Sequence, residues 1–278
     1  MAALLMGFCC NAHAATTSKK TVAAQPALKS ASVLVLDESD ASVLLSQRAE
    51  VAAPIASITK LMTTLVILDA KQPMDEMIEI TADDKDMERG STSRLAIGTR
   101  LSRADLMHLA LMSSENRAAH ALGRSFVGGV PAIVKAMNLK AQALGMTSAK
   151  FVDPTGLSSG NVASPQDLAK LVIAASHNPT IRSYSTHDKY SVKVGKRMLE
   201  FRNTDNLVTK SDWDIVVQKT GYIEEAGRCL VMKAVIAGRS VVIVLLDSYG
   251  KYTRVADAKR IKDWMEAKLL QAKTKVNH

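Results

Sequence analysis

With 278 residues and a 47% hydrophobic content, the chain has the composition of an ordinary globular protein, with enough apolar material for one large domain or two small ones. Its net charge of +9 is spread along the sequence and only 4% of its residues are aromatic, so the basic cluster with stacking rings that a nucleic-acid binder needs is absent. An anionic polymer such as cell wall, or a membrane surface, matches that charge better, and a merely solvated basic surface fits equally well.

The opening residues, MAALLMGFCCNAHA, form a short apolar run ending in Ala12-His13-Ala14, the small-x-small pattern of a signal-peptidase site, so residues 1–14 are read as an export signal. Cys9 and Cys10 invite a lipid anchor, but Met6, Gly7 and Phe8 before them make a poor lipidation site. Loss of the signal leaves Cys229 alone and without a disulfide partner, which suits a periplasmic protein stabilised by its core. No later run reaches the roughly 18 apolar residues of a membrane span, so the mature chain is expected to be soluble or peripheral.

After a polar segment at 15–30, ASVLVLD (31–37) and ASVLLSQ (41–47) read as two strands of a hairpin around Glu38-Ser39-Asp40. From Ile58 the period becomes helical, with Leu61, Leu65 and Leu68 on one face and Pro73 beyond the end. From about Leu101 to His177 the chain is mostly helical, with Ser102 and Ser164 as caps, the latter followed by Pro165 at the first helical position. Asp83-Asp84-Lys85-Asp86 reads as a solvated turn, His108 and His120 as helix-face residues and Cys229 as a core thiol. Strands return in DIVVQKTGY (214–222), RCLVMKAVIAG (228–238) and SVVIVLLD (240–247), and an amphipathic helix runs from about Thr253 to Leu270. The expectation is an α+β fold: one antiparallel sheet from both chain ends, flanked by helices, with a mainly helical subdomain inserted at about 70–200. The folded domain is placed at 31–270, followed by a tail at 271–278.

Three short motifs stand in order: Ser57-Ile58-Thr59-Lys60, Ser114-Glu115-Asn116 and Lys219-Thr220-Gly221. Each is weak alone. Together, with the first opening a helix, the second at a helical junction and the third on a strand, they match the set found in class A β-lactamases and penicillin-binding proteins. The chain resembles the serine-type D-alanyl-D-alanine peptidases, the low-molecular-mass penicillin-binding proteins. PIASITKLMT, LALMSSENRAA, FVDPTGLS and KTGYIEEAGRCLVM carry the resemblance beyond the motifs. Ser-Glu-Asn in place of Ser-Gly-Asn, and FRNTDNLV (201–208), place it nearest the endopeptidase branch. Neither the extra β-rich domain nor the membrane-binding tail of many carboxypeptidases is then expected.

A serine hydroxyl is a poor nucleophile without a base in reach, and residues three apart on a helix share a face, so Lys60 can bring its amine to Ser57. Lys60 serves as a base only if its pKa falls, through burial and through repulsion from a second cation, for which Lys219 is the natural choice. Ser114 can relay a proton to the leaving amine, and Asn116 can bind either Lys60 or the substrate amide. Lys219 and the Thr220 hydroxyl can hold a substrate carboxylate, and Gly221 lets a substrate lie close against the strand. The resemblance implies an oxyanion hole from the backbone amides of Ser57 and Tyr222, and a carboxylate contact from Arg254, which reads equally well as a helix-end surface arginine. It also implies peptidoglycan crosslinks or muropeptides as substrate, β-lactams as covalent inhibitors, possible contact with other wall enzymes, and no metal or other cofactor.

Three rival readings follow. A D-Ala-D-Ala carboxypeptidase shares the acyl half of the reaction and differs only in what leaves. A serine β-lactamase needs a glutamate to activate water; no Glu-x-x-Leu-Asn text is present, and Asp153 is the acid in the comparable stretch. A non-catalytic wall-binding scaffold would have little use for three intact motifs.

Overall fold

The computed structural model describes residues 24–276. The export segment at 1–14 and the first part of the polar segment lie outside the described residues. Strands β1 (Ser30–Asp37) and β2 (Val43–Gln47) form the expected hairpin, followed by the short β3 (Ala53–Pro54) and α1 (Thr59–Asp69). Short strands β4 (Met77–Glu79) and β5 (Arg100–Ser102) pair with each other around a long loop. Helices α2 (Arg103–Met112), α3 (Asn116–Arg124) and α4 (Gly129–Ala143) follow, then β6 (Val162–Ala163), α5 (Pro165–Ser176) and α6 (Pro179–Thr186). A second hairpin, β7 (Lys189–Val194) and β8 (Arg197–Arg202), precedes the long strands β9 (Asp214–Ile223), β10 (Gly227–Ile236) and β11 (Arg239–Ser248) and the closing helix α7 (Thr253–Val276).

Both expected serine caps are present: Ser102 accepts from the Asp105 amide and Ser164 from the Asp167 amide, and in each case the aspartate returns the bond as a capping box. Helix α6 and the β7–β8 hairpin fall in a stretch that the sequence left without an element.

The main sheet has the order β2-β1-β11-β10-β9 and is antiparallel at every pairing the register records. Its central pair joins the two chain ends, with Ser32 opposite Leu246 and Asp37 opposite Val241. Successive strand residues face opposite sides, so one sheet serves two cores. Val242, Val244 and Leu246 pack toward α1, α2 and α5, while Ile243 and Leu245 pack with Leu230, Met232, Ala258, Ile261 and Trp264 against α7. This order leaves β9 at the edge of the sheet, with one side unpaired. The third motif lies on that edge.

Candidate active site

Four segments meet at the free edge of β9: the turn that enters α1, the α2–α3 junction, the loop at 153–161, and β9 itself. Ser57 is not a helix cap. It lies inside a 3-10 turn, Ala56–Ile58, that runs straight into α1, whose N-cap, Ile58, makes no side-chain cap bond. The Ser57 hydroxyl is therefore not spent on backbone amides. Lys60 Nζ reaches it at 2.7 Å and also donates to Asn116 Oδ1 at 2.8 Å and to the Thr155 carbonyl at 2.7 Å. Those three bonds use all the hydrogens of an ammonium; once neutral, the amine has a lone pair to receive the Ser57 proton.

Lys60 is fully buried, and burial pulls its pKa down to about 7, against the opposing pull of the Asp153, Glu115 and Asp86 carboxylates. Lys219 is also fully buried and is pushed well below the usual lysine range, first by burial and then by the Lys60 and Arg254 charges. At Lys60 burial leads, and the expected repulsion between the two lysines bears on Lys219.

Ser114 sits at the α2–α3 junction with φ of +59°, a left-handed conformation that costs a non-glycine residue about 1–3 kcal/mol. Its Oγ accepts from Lys219 Nζ at 2.9 Å, and Lys219 also donates to the Thr220 carbonyl. Asn116 holds Lys60 through its oxygen and donates through Nδ2 to Ser91 Oγ at 2.9 Å, so both ends of the amide are engaged. Glu115 is buried and caps α3 by accepting from the Ala118 amide at 2.6 Å. The glutamate that marks the motif thus has a structural job.

The loop at 153–161 is organised by Asp153, whose carboxylate accepts from the backbone amides of Thr155, Gly156 and Ser158, the Thr155 hydroxyl and the Asn161 amide. With its lone pairs so occupied, it is not free to activate a water. Gly156 has φ of +81°, and a Cβ there would stand 2.0 Å from the Ala56 carbonyl oxygen. Ala56 is itself left-handed at φ +48°. Gly221 approaches from the other side, where a Cβ would stand 2.9 Å from the Ile55 carbonyl oxygen and 3.2 Å from the Ser57 amide nitrogen. Two glycines thus clamp the backbone that carries Ser57.

Thr220 Oγ1 lies 2.6 Å from Thr204 Oγ1, whose own amide is anchored on the Met112 carbonyl. Arg254, half-buried in the first turn of α7, donates to the Gly221 carbonyl at 3.1 Å. It is held against the strand of the third motif rather than pointing into solvent. The Tyr222 side chain is 56% exposed beside it. All nine residues singled out from the sequence therefore lie around the free edge of β9.

A family model described as D-alanyl-D-alanine carboxypeptidase matches residues 19–250. The chain belongs to this serine DD-peptidase family. A relative named D-alanyl-D-alanine endopeptidase in Pseudomonas aeruginosa is 46% identical over 244 residues, covering 87% of this chain and 79% of that one. Another of the same name in Escherichia coli is 43% identical over 254 residues, covering 91% and 82%. The crystal structure of a Streptomyces DD-transpeptidase aligns with a TM-score of 0.80, covering 87% of this chain and 98% of that one; at 24% identity it speaks to the fold alone.

Several residues of the DD-peptidase site carried no role in the sequence reading. Ser91, the Thr155 carbonyl and Thr204 act on Asn116, Lys60 and Thr220 only once distant loops meet. Of these, Thr155 and Thr204 lie within FVDPTGLS and FRNTDNLV, stretches that carry the family resemblance. The acidic run at 83–86 is no simple solvated turn. Asp84 is 2% exposed, held below the usual carboxylate range at about 2 by hydrogen bonds from His120 and Arg124, which outweigh the cost of its burial. Asp86 accepts from the amides of Glu88, Arg89 and Ser91, which sets Ser91 against Asn116. Arg89 ties the same loop to Glu225 and to the Leu157 carbonyl.

Proposed function

We propose that the chain is a periplasmic serine DD-peptidase that cleaves D-alanyl–diaminopimelate crosslinks of peptidoglycan through an acyl-enzyme, and that β-lactams acylate the same serine. The observation that carries this is the 2.7 Å contact between Ser57 Oγ and a buried Lys60 whose pKa lies near neutrality. Neutral Lys60 takes the Ser57 proton as Oγ bonds to the D-alanyl carbonyl carbon. The oxyanion is held by the backbone amides of Ser57 and Tyr222, each donor being worth roughly 3–4 kcal/mol in comparable sites. As the C–N bond breaks, a proton passes through Ser114, on the path from Lys219, to the leaving amine. The proton held by Lys60 restores Lys219, so a neutral Lys60 can take a proton from the water that attacks the ester and return it to Ser57 Oγ as the ester bond breaks. Thr220, Lys219 and Arg254 hold the carboxylate beside the leaving amine, and Asn116 holds Lys60 in place.

The endopeptidase choice draws on the two relatives of that name and on Ser114-Glu115-Asn116. Carboxypeptidase activity is the second reading, favoured by the description of the family model. Export draws on residues 1–14, and no helix among the described residues is long and apolar enough to cross a membrane. Other wall enzymes are proposed as partners on substrate grounds alone. The deciding experiment is digestion of purified crosslinked and uncrosslinked muropeptides with products followed by mass. Loss of crosslinked dimers is expected; release of D-alanine with dimers untouched overturns the endopeptidase reading. Failure of a fluorescent penicillin to label the wild type, with Ser57→Ala as control, overturns the enzyme.

A further inference from the structure

Under that reading the substrate runs antiparallel to β9, with its leaving-side carboxylate at Thr220 and Arg254 and its scissile carbonyl at the Tyr222 amide. The acyl half must then continue past Tyr222 toward Glu224 and the β9–β10 turn. At that end of the sheet Tyr222, Arg228 and Ser248 stand side by side across β9, β10 and β11. They open onto a cavity of about 470 Å³, lined also by Glu224, Asp247, Tyr249 and Lys251. That volume is within the roughly 300–1,000 Å³ of small-ligand sites.

The charges around this cavity are of both signs, and its cations rest over aromatic rings rather than on carboxylates, Lys251 over Tyr252 at 5.5 Å. Among the described residues none of Arg228, Lys251, Glu224 and Asp247 forms an ion pair, although both signs share one rim. The Arg228 guanidinium lies 4.5 Å over the Tyr222 ring, and Tyr249 is 92% exposed. Gly227 keeps room for the Asp247 carboxylate, since a Cβ there would stand 2.4 Å from Asp247 Oδ1. Two cations and two carboxylates on one rim, with aromatic walls, suit a zwitterion on a short apolar stem. In a diaminopimelate wall peptide the residue just before the D-alanine ends in such a group: an ammonium and a carboxylate on one carbon, three methylenes from the backbone.

We propose that this cavity is the subsite for the free amino-carboxylate end of the diamino acid in the acyl half of the substrate, with Arg228 and Lys251 on its carboxylate and Glu224 and Asp247 on its ammonium. The proposal rests on the DD-peptidase reading for the direction of the substrate. It makes the donor stem, and not only the leaving amine, a determinant of specificity.

Two ligands differing by one carboxylate test it: Nα-acetyl-diaminopimelyl-D-alanine and Nα-acetyl-lysyl-D-alanine, titrated by calorimetry into the Ser57→Ala protein. The diaminopimelyl ligand should bind about tenfold more tightly, the worth of one good charge-assisted contact. Adding Arg228→Gln and Lys251→Ala, with the fold checked by thermal melting, should bring the ratio to about one. Equal binding of the two ligands, or a ratio that survives both substitutions, overturns the subsite. Because this readout needs no chemistry, failure of the wild type both to cleave crosslinked dimers and to release D-alanine from the matching D-Ala-D-Ala peptides would count against the DD-peptidase reading and leave the binding ratio to decide the cavity.

Discussion

At Lys60 two demands on one side chain pull in opposite directions. Full burial disfavours the ammonium, yet Ser57 Oγ, Asn116 Oδ1 and the Thr155 carbonyl are all placed to accept from it. A base must be neutral to take a proton, so the rate of acylation by penicillin should rise with pH through about 7 and level off above it. Lys60→Arg keeps the charge but cannot lose it at ordinary pH, and stopped-flow labelling should find no acylation even where the fold survives. Thr204 acts one residue further out. Its hydroxyl shares a hydrogen bond with the Thr220 hydroxyl in which either can donate, and when a carboxylate arrives Thr204 can take the donor role and leave the Thr220 proton for the ligand. Thr204→Val should therefore raise KM several-fold for peptides ending in a carboxylate with little change in kcat, and Thr204→Ser should restore it. The Ser57–Lys60 pair was legible in the sequence because a single helical turn brings it together. Ser91 and Thr204 were not, because nothing local ties them to Asn116 or Thr220.

Among the elements, the 153–161 loop shows how a segment without regular structure can be as constrained as a helix. Asp153 gathers the amides that follow it, and Gly156 lies against the Ala56 carbonyl, so the loop fixes the approach to Ser57. Gly156→Ala places a side chain both at φ +81° and against that carbonyl. The backbone term alone costs roughly 1–3 kcal/mol, and acylation should fall along with the melting temperature because Ser57 is displaced. The strands β9 to β11 were readable from their β-branched apolar runs, and α2 and α5 from their serine caps. Helix α6 and the β7–β8 hairpin were not. They are short, and most hairpin residues are partly or fully exposed, so no long apolar period announces them. Their anchors are tertiary: Tyr184 and Tyr190 pack on either side of the His108 ring, and the Tyr190 hydroxyl donates to Asp105 at 2.6 Å. Asn178-Pro179, a cap followed by proline at the first helical position, was the available cue for α6.

At the scale of the molecule, one sheet carries two cores and a site at its edge. Cys229 lies within it, opposite Gly221 on the neighbouring strand, fully buried and pushed up to about 11 by that burial. In a chain beginning at Ala15 this thiol should resist alkylation in native buffer and react as the protein unfolds. Its protection then reports the integrity of the strand pair that carries Lys219 and Gly221. Fast labelling under native conditions, with penicillin acylation intact, would mean that this part of the sheet opens independently of the site.

The pairing of β1 with β11 has a kinetic consequence. A ribosome or a translocation pore delivers Ser32 long before its neighbour Leu246, and the loop between them must close before this strand pair can form. Long-range pairings of this kind slow folding because the entropy of closure is paid before the contacts repay it. The catalytic edge, β9, is four positions from β2 on the other side of that junction, and it needs Ser57, Ser114 and Lys219 together, so it cannot assemble before β9 has been made. A hydrolase whose active surface joins Ser57 to Lys219 and Arg254 is inactive until all of those segments have been made.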